Sequence, residues 1–205
     1  MVISLLDSTM VKKAALHVQS LFQAYLPATL AFHDLFHTQQ VVYAVKEIGQ
    51  ACRLPASDIE LLLIAAWFHD VGYIAGYQDH VELGQEIAKN WLKQEGMPAT
   101  DRMKIIKCIG ATQMPQTPRT MLEEVICDAD LIHLSAEDYP SRLSMLRDEW
   151  ENTFGKKSSE RSWLTSNIDF LTNHFYLTDY GQKVLEERKE KNISHLLLLL
   201  QTLPH

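Results

Sequence analysis

Apolar positions along this chain recur three and four residues apart and nowhere alternate over a sustained run, so the pattern predicts helices throughout and no sheet. The segment SDIELLLIAAWFHDVG, 57–72, is apolar almost from end to end and belongs in an interior. Ser57 with Glu60 three residues on reads as a capping box at its start, and Gly72 as a left-handed stop. The segment DHVELGQEIAKNWLKQEG, 79–96, instead has one apolar face, carried by Val81, Leu83 or Gly84, Ile87, Ala88, Trp91 and Leu92. Asp79 and Glu82 open it and Gly96 closes it. Further helices are expected at about 36–52, 100–113, 119–134, 136–154, 158–175 and 178–201. MPQTP, 114–118, is a helix-breaking turn.

No internal repeat and no linker rich in Gly, Pro or Ser divides the chain. An all-α fold in one domain over 1–205 is therefore expected, with a core at about 30–135 and a more charged helical cover at about 136–205. The run LLLLL, 196–200, reads as a helix end docked on that core.

Composition narrows the class. With 205 residues, 46% hydrophobic and 22% charged, the chain can bury a sizeable core and is neither disordered nor a coiled coil. A net charge of −7 gives no footprint for duplex nucleic acid or an anionic membrane, though one metal ion can reverse the local sign inside a pocket. Cys52, Cys108 and Cys127 form no CxxC pair, and their odd number speaks against a disulfide framework. MVISLLDSTMVKK lacks a basic region ahead of its short apolar run, and no stretch approaches a membrane span, so a cytoplasmic location is the default.

The chemistry begins with WFHDVGY, 67–73, which sets His69 and Asp70 side by side at the end of an apolar stretch. An unpaired ion there would cost several kcal/mol, about the scale at which a partner or a metal becomes necessary. Upstream, FHDLFHTQQVV spaces His33 and His37 four apart, on one face if the helix starts before His33. Downstream, VICDADLIHL places Asp128 and Asp130 in another apolar stretch. Imidazole nitrogen with carboxylate oxygen is a donor set for a first-row divalent ion or magnesium. Each element also has a plainer reading: an HD pair satisfied locally or exposed at a helix end, His33 as a cap or a packed side chain, Asp128 as an exposed neighbour of the true ligand. His17, His133, His174, His195 and His205 lack a carboxylate pattern and read as structural or solvent-facing.

Taken in order, these elements resemble the HD-domain metal-dependent phosphohydrolase superfamily. FHDLFHTQQVV is similar to YHNxxHxxxV, LLLIAAWFHDVGY to LxxAAxFHDxGY, DHVELGQEIA to HExxSAxxA and ICDADLIHL to the DADLxxL element; LRDEW, 146–150, resembles an LRxE element of one branch of predicted HD hydrolases. The resemblance implies an HD-domain helical bundle with additional C-terminal helices. It implies one divalent metal ion (Mn, Fe, Co, Ni, Zn or Mg) held by His37, His69, Asp70 and Asp130, and hydrolysis of a nucleotide or other small phosphoester. Asp70, His80 and Glu82 are then the catalytic candidates, and His33 and Arg147 the substrate-binding ones. Where many relatives carry IxxTxH this chain has IGATQ, so Gln113 replaces a histidine donor and one ion is expected rather than two. The absence of GxxxxGK[ST], GxGxxG and GxSxG disfavours a triphosphate-driven machine, a dinucleotide enzyme and a serine hydrolase. The other reading is a catalytically silent nucleotide sensor or interaction module with a structural metal. A homodimer is compatible with either.

Overall fold

A computed structural model describes residues 8–155 and 157–203, and those residues are helical with no strand among them. In chain order the helices are α1 (Thr9–Tyr25), α2 (Leu35–Ala51), α3 (Ala56–Phe68), α4 (His80–Gln94), α5 (Ala99–Ala111), α6 (Met121–Asp130), α7 (Tyr139–Phe154), α8 (Glu160–Asn173) and α9 (Glu186–Thr202). Single 3-10 turns follow α3 at Val71–Ile74 and α6 at Ile132–Ser135, and a π-helical turn, Gly181–Leu185, leads into α9.

Helix α3 is the axis. Ile59 and every residue from Leu61 to Phe68 are buried, as its unbroken apolar sequence requires, so it is wrapped on all sides. Helices α1, α2, α4, α5 and α6 pack around it. Helices α8 and α9 pack on each other, and Trp163, Leu164, Leu171 and Leu196 join the same apolar cluster that begins at Val11.

Several boundaries differ from the pattern, each for a local reason. Helix α1 was not among the delimited segments, yet Val11, Ala14, Val18 and Phe22, at intervals of three, four and four, form its buried face. Helix α3 starts at Ala56 with Pro55 as N-cap, so Ser57 lies inside the first turn and caps nothing; Glu60 accepts instead from the Ser8 hydroxyl. Helix α3 also stops before Gly72, which lies in the following 3-10 turn without a positive φ. A Cβ there would meet the His80 carbonyl oxygen at 1.9 Å, so Gly72 is required by close approach of the backbones and not by a left-handed turn. Gly96 does adopt the left-handed conformation, at φ 73°, that its place after α4 predicts. Asp79 precedes α4 as expected but makes no side-chain cap.

The segment expected at 119–134 breaks at Asp130, and α2 starts at Leu35, capped by Asp34, whose carboxylate accepts from the His37 amide at 2.9 Å. The helix does not begin before His33, so His33 and His37 do not share a helical face. In the leucine run, Leu196 is fully buried while Leu197, Leu198 and Leu199 are exposed, so only part of it docks. No helix among the described residues is long and apolar enough to cross a membrane. Residues 1–7 and His205 lie outside the described residues.

Candidate metal centre

Three helix ends converge. His37 lies in the first turn of α2, His69 and Asp70 follow the last residue of α3, and Asp130 is the last residue of α6. Adjacent residues on a helix diverge by about 100°, yet His69 and Asp70 face one point because the chain leaves the helix between them. His69 keeps helical angles, whereas Asp70 turns to φ −105°, ψ 5°. The His69 Nδ1–H donates to the Ala66 carbonyl at 2.8 Å, which commits one nitrogen and aims Nε2 at the cluster.

There, His69 Nε2 lies 3.1 Å from Asp70 Oδ2, 3.4 Å from Asp130 Oδ1 and 3.4 Å from His37 Nε2. His37 Nε2 in turn is 3.4 Å from both Asp70 Oδ2 and Asp130 Oδ1. Ligand atoms bound at about 2.1 Å in tetrahedral to octahedral arrangement lie about 3.0–3.4 Å apart, so these separations suit one ion. His37, His69 and Asp70 form a mutual set of donors within 4.8 Å, with Asp130 joining through the two imidazoles. Asp70 Oδ2 is buried and has no hydrogen-bond partner, an arrangement that needs a compensating charge. The residues present therefore fit a divalent ion.

The electrostatics agree. Burial favours the neutral acid at both carboxyls, but the neighbouring imidazoles override it, holding Asp70 down at about 2 and Asp130 lower still. Burial would depress His69, but Asp70 and Asp130 raise it well above the usual imidazole range. The cluster is thus a pair of anions around two imidazoles, ready to exchange a proton for a cation.

The cluster opens on a cavity of about 580 Å³, within the size range of small-ligand sites. His33 lines it from just before α2. Glu149 of α7, fully buried, accepts from the backbone amides of Phe32 and His33 at 2.9 and 3.0 Å and from His33 Nδ1. The His33 ring stacks on Tyr73, and His80 stacks on Tyr73 at 4.0 Å between centroids. His80 Nδ1–H donates to the Tyr77 carbonyl at 3.1 Å. Gln113 lines the mouth.

Two expected residues lie elsewhere. Glu82 is exposed in the first turn of α4 and does not line the cavity, because Val81 and Gly84 turn inward at that point. Arg147 ties α7 to α8: Nε donates to Glu151 at 3.1 Å, Nη2 to the Ser158 carbonyl at 2.5 Å and Nη1 to Glu160. It does not line the cavity either. Asp128, far from being an exposed neighbour, is buried and accepts from the Leu177 amide at 2.7 Å, the Thr178 amide at 2.9 Å and the Thr178 hydroxyl at 2.7 Å. His133, expected to be structural or solvent-facing, stands in the cavity wall with its ring 6.2 Å from that of His37.

The sequence pattern does not reveal the aromatic part of the wall, Tyr77, Trp150, Trp163 and Phe170, nor the role of Glu149. For Glu149 a signal existed: it belongs to LRDEW, where Arg147 is the residue that reads as the substrate-binding candidate.

An all-α bundle with buried histidines and aspartates at converging helix ends defines a class of helical proteins whose centre fits a metal ion. Residues 34–135 match the HD domain, and this chain is an HD-domain protein. Its fold resembles several solved structures. Bacillus subtilis YpgQ, determined in complex with ADP, has a TM-score of 0.67 at 20% identity, covering 96% of this chain and 98% of that one. A predicted HD superfamily hydrolase from an uncultured Thermotogales bacterium gives 0.64 at 19% identity, over 93% and 91%. A Lactobacillus plantarum protein gives 0.68 at 14%, over 94% and 96%. No curated protein matches the chain.

Proposed function

We propose that this protein is a metal-dependent phosphohydrolase acting on a nucleotide or similar small phosphoester. The observation that carries the reading is the unpartnered Asp70 Oδ2 among His37, His69 and Asp130, at the floor of an aromatic cavity. His37, His69, Asp70 and Asp130 would hold one divalent ion; such an ion supplies an acidified water and screens phosphoryl charge. Asp70, kept ionised, has a carboxylate to orient that water and take its proton. Glu149 fixes His33 through Nδ1 and the Tyr77 carbonyl fixes His80 through Nδ1, so each ring offers Nε2 to a phosphate oxygen or a leaving group. Glu82 and Arg147 have no part in this reading, since neither reaches the cavity. Tyr77, Trp150, Trp163 and Phe170 supply flat apolar surface of the kind on which a base stacks. The ADP complex of YpgQ supports a nucleotide as ligand of the similar fold.

The test is release of phosphate or pyrophosphate from a panel of nucleotides and simple phosphoesters by protein loaded with each divalent metal, with occupancy measured on the same samples. Turnover that follows occupancy and is lost in Asp70→Asn still carrying metal supports the enzyme. Nucleotide binding that raises the melting temperature with every ester left intact would replace it with the sensor.

A further inference from the structure

Helix α8 turns one face to the cavity: Trp163, Asn167 and Phe170, four and three residues apart, line it from the same side. Both aromatic side chains are braced. The Trp163 ring meets Trp150 edge-on at 5.6 Å between centroids and has the Arg147 guanidinium 5.9 Å from its own. Phe170 stacks on His174 at 6.1 Å. Asn167 stands between the two aromatics with its amide already oriented. Nδ2 donates to the Trp163 carbonyl at 2.8 Å, one turn back along the helix. A carbonyl oxygen only accepts, so the amide cannot be reversed. Oδ1 therefore lies on the other side of the amide plane from that carbonyl, and it makes no hydrogen bond to the described residues. The remaining neutral polar groups of this end of the cavity are less well placed to discriminate. The Thr112 hydroxyl donates to the Ile109 carbonyl at 2.9 Å, and Gln113 and Ser166 are exposed, where they turn freely and pair with water. The Tyr77 hydroxyl accepts from Trp150 Nε1 at 2.8 Å, and its ring lies toward the histidine end, 6.0 Å from His33 and 6.4 Å from His80.

We infer that Asn167 reads the base of the substrate, its Oδ1 accepting from an exocyclic amino group, so that the site prefers adenine to hypoxanthine and cytosine to uracil. The inference rests on the nucleotide reading above and narrows it. A base lying flat on Trp163 or Phe170 turns its edge toward the residue between them. At that edge an amino group gives a proton to Oδ1. A carbonyl oxygen in the same place sets lone pair against lone pair and leaves a half-buried acceptor unpaired. The second N–H of Nδ2 is a donor for the ring nitrogen beside the amino group, which completes the two-point pairing that an asparagine makes with adenine. Asn167 is then a specificity-determining residue carried by α8, outside the histidine and aspartate cluster.

The experiment uses metal-loaded protein and two pairs of probes, ADP with IDP and CDP with UDP, each pair differing by the exchange of an amino group for an oxygen. Dissociation constants are read from tryptophan fluorescence within milliseconds of mixing, so that turnover does not enter. The wild type should bind the amino member at least about tenfold more tightly in one pair or both, since the oxo member leaves the amide unpaired. Asn167→Leu, checked for an unchanged melting temperature and metal content, should bind the members of each pair within twofold of each other. Asn167→Asp, which keeps an acceptor, should still favour the amino member. Equal binding within both pairs by the wild type, a preference for the oxo member, no binding of any probe, a preference that survives in Asn167→Leu, or one that is lost in Asn167→Asp would overturn the inference. Phosphate release from the same samples and from a phosphoester without a base separates the two readings: discrimination without hydrolysis keeps the base contact and removes the enzyme, and hydrolysis without discrimination does the reverse.

Discussion

Asp128 and Asp130 stand two residues apart in α6, where side chains diverge by about 200°. Asp130 meets the two imidazoles, whereas Asp128 accepts from three donors at Leu177 and Thr178, 49 and 50 residues further along. Asp130→Asn is expected to lose the bound metal with little change in fold. Asp128→Asn offers one acceptor oxygen where two served, leaving a buried donor short at about 1–3 kcal/mol. It should keep its metal and melt several degrees lower. Elemental analysis and thermal denaturation of both variants check this; equal metal loss would mean that the wrong face of α6 has been assigned. A second pair of residues gives a pH signature. Burial opposes both charges in the His33 and Glu149 pair, but their mutual hydrogen bond raises His33 and lowers Glu149. A raised histidine stabilises below its unfolded value of 6.5 and loses that contribution as pH climbs through the folded value; a lowered glutamate stabilises above 4.5 and loses it as pH falls. In chelated protein, Glu149→Gln should therefore cost the most melting temperature between pH 4.5 and 6.5, and progressively less on the alkaline side. A difference that does not vary with pH would count against the ion pair.

The junction between α3 and α4 depends on Gly72. An added Cβ would lie 1.9 Å from the His80 oxygen and 2.8 Å from the Gly84 amide nitrogen, both backbone atoms that cannot rotate away. Gly72→Ala should force the 3-10 turn off α4 and displace Asp70 two residues before it, lowering both melting temperature and metal occupancy. Unchanged metal content together with an unchanged melting temperature would show that the turn has slack. Helices α2 to α9 were legible in the sequence as apolar faces or, for α3, as an unbroken apolar run, because burial decides them, whereas α1 was missed although its buried face has the same spacing. Their ends were not, because they depend on single local choices: Pro55 starting α3 early, Asp34 capping α2 beyond His33, the chain leaving α3 at His69 and Asp70. The four ligand candidates were legible because buried His and Asp are conspicuous in apolar helices. Glu149 was not, since a glutamate on a charged helix looks solvated until His33, 116 residues away, is seen against it. The aromatic wall likewise appears only when α7 and α8 close over the cluster.

At the scale of the whole molecule, an ion held by His37, His69, Asp70 and Asp130 would fasten the ends of α2, α3 and α6 to one another. Binding to the folded state alone stabilises it by about 2.7 kcal/mol at a hundredfold excess over Kd. For a chain of this size that is roughly 5–10 °C of melting temperature. Stripping the metal with a chelator should lower Tm by that amount, and re-adding it should restore it; a Tm indifferent to chelation would leave the cluster without an ion to hold. The cavity also has two owners along the chain. The histidine and aspartate end comes from residues 37–130, and Trp150, Trp163, Asn167 and Phe170 come from the later α7 and α8. Descendants of such a bundle can inherit the histidine and aspartate end unaltered while substitutions on the late helices change what the cavity accepts, as one tool handle accepts interchangeable heads.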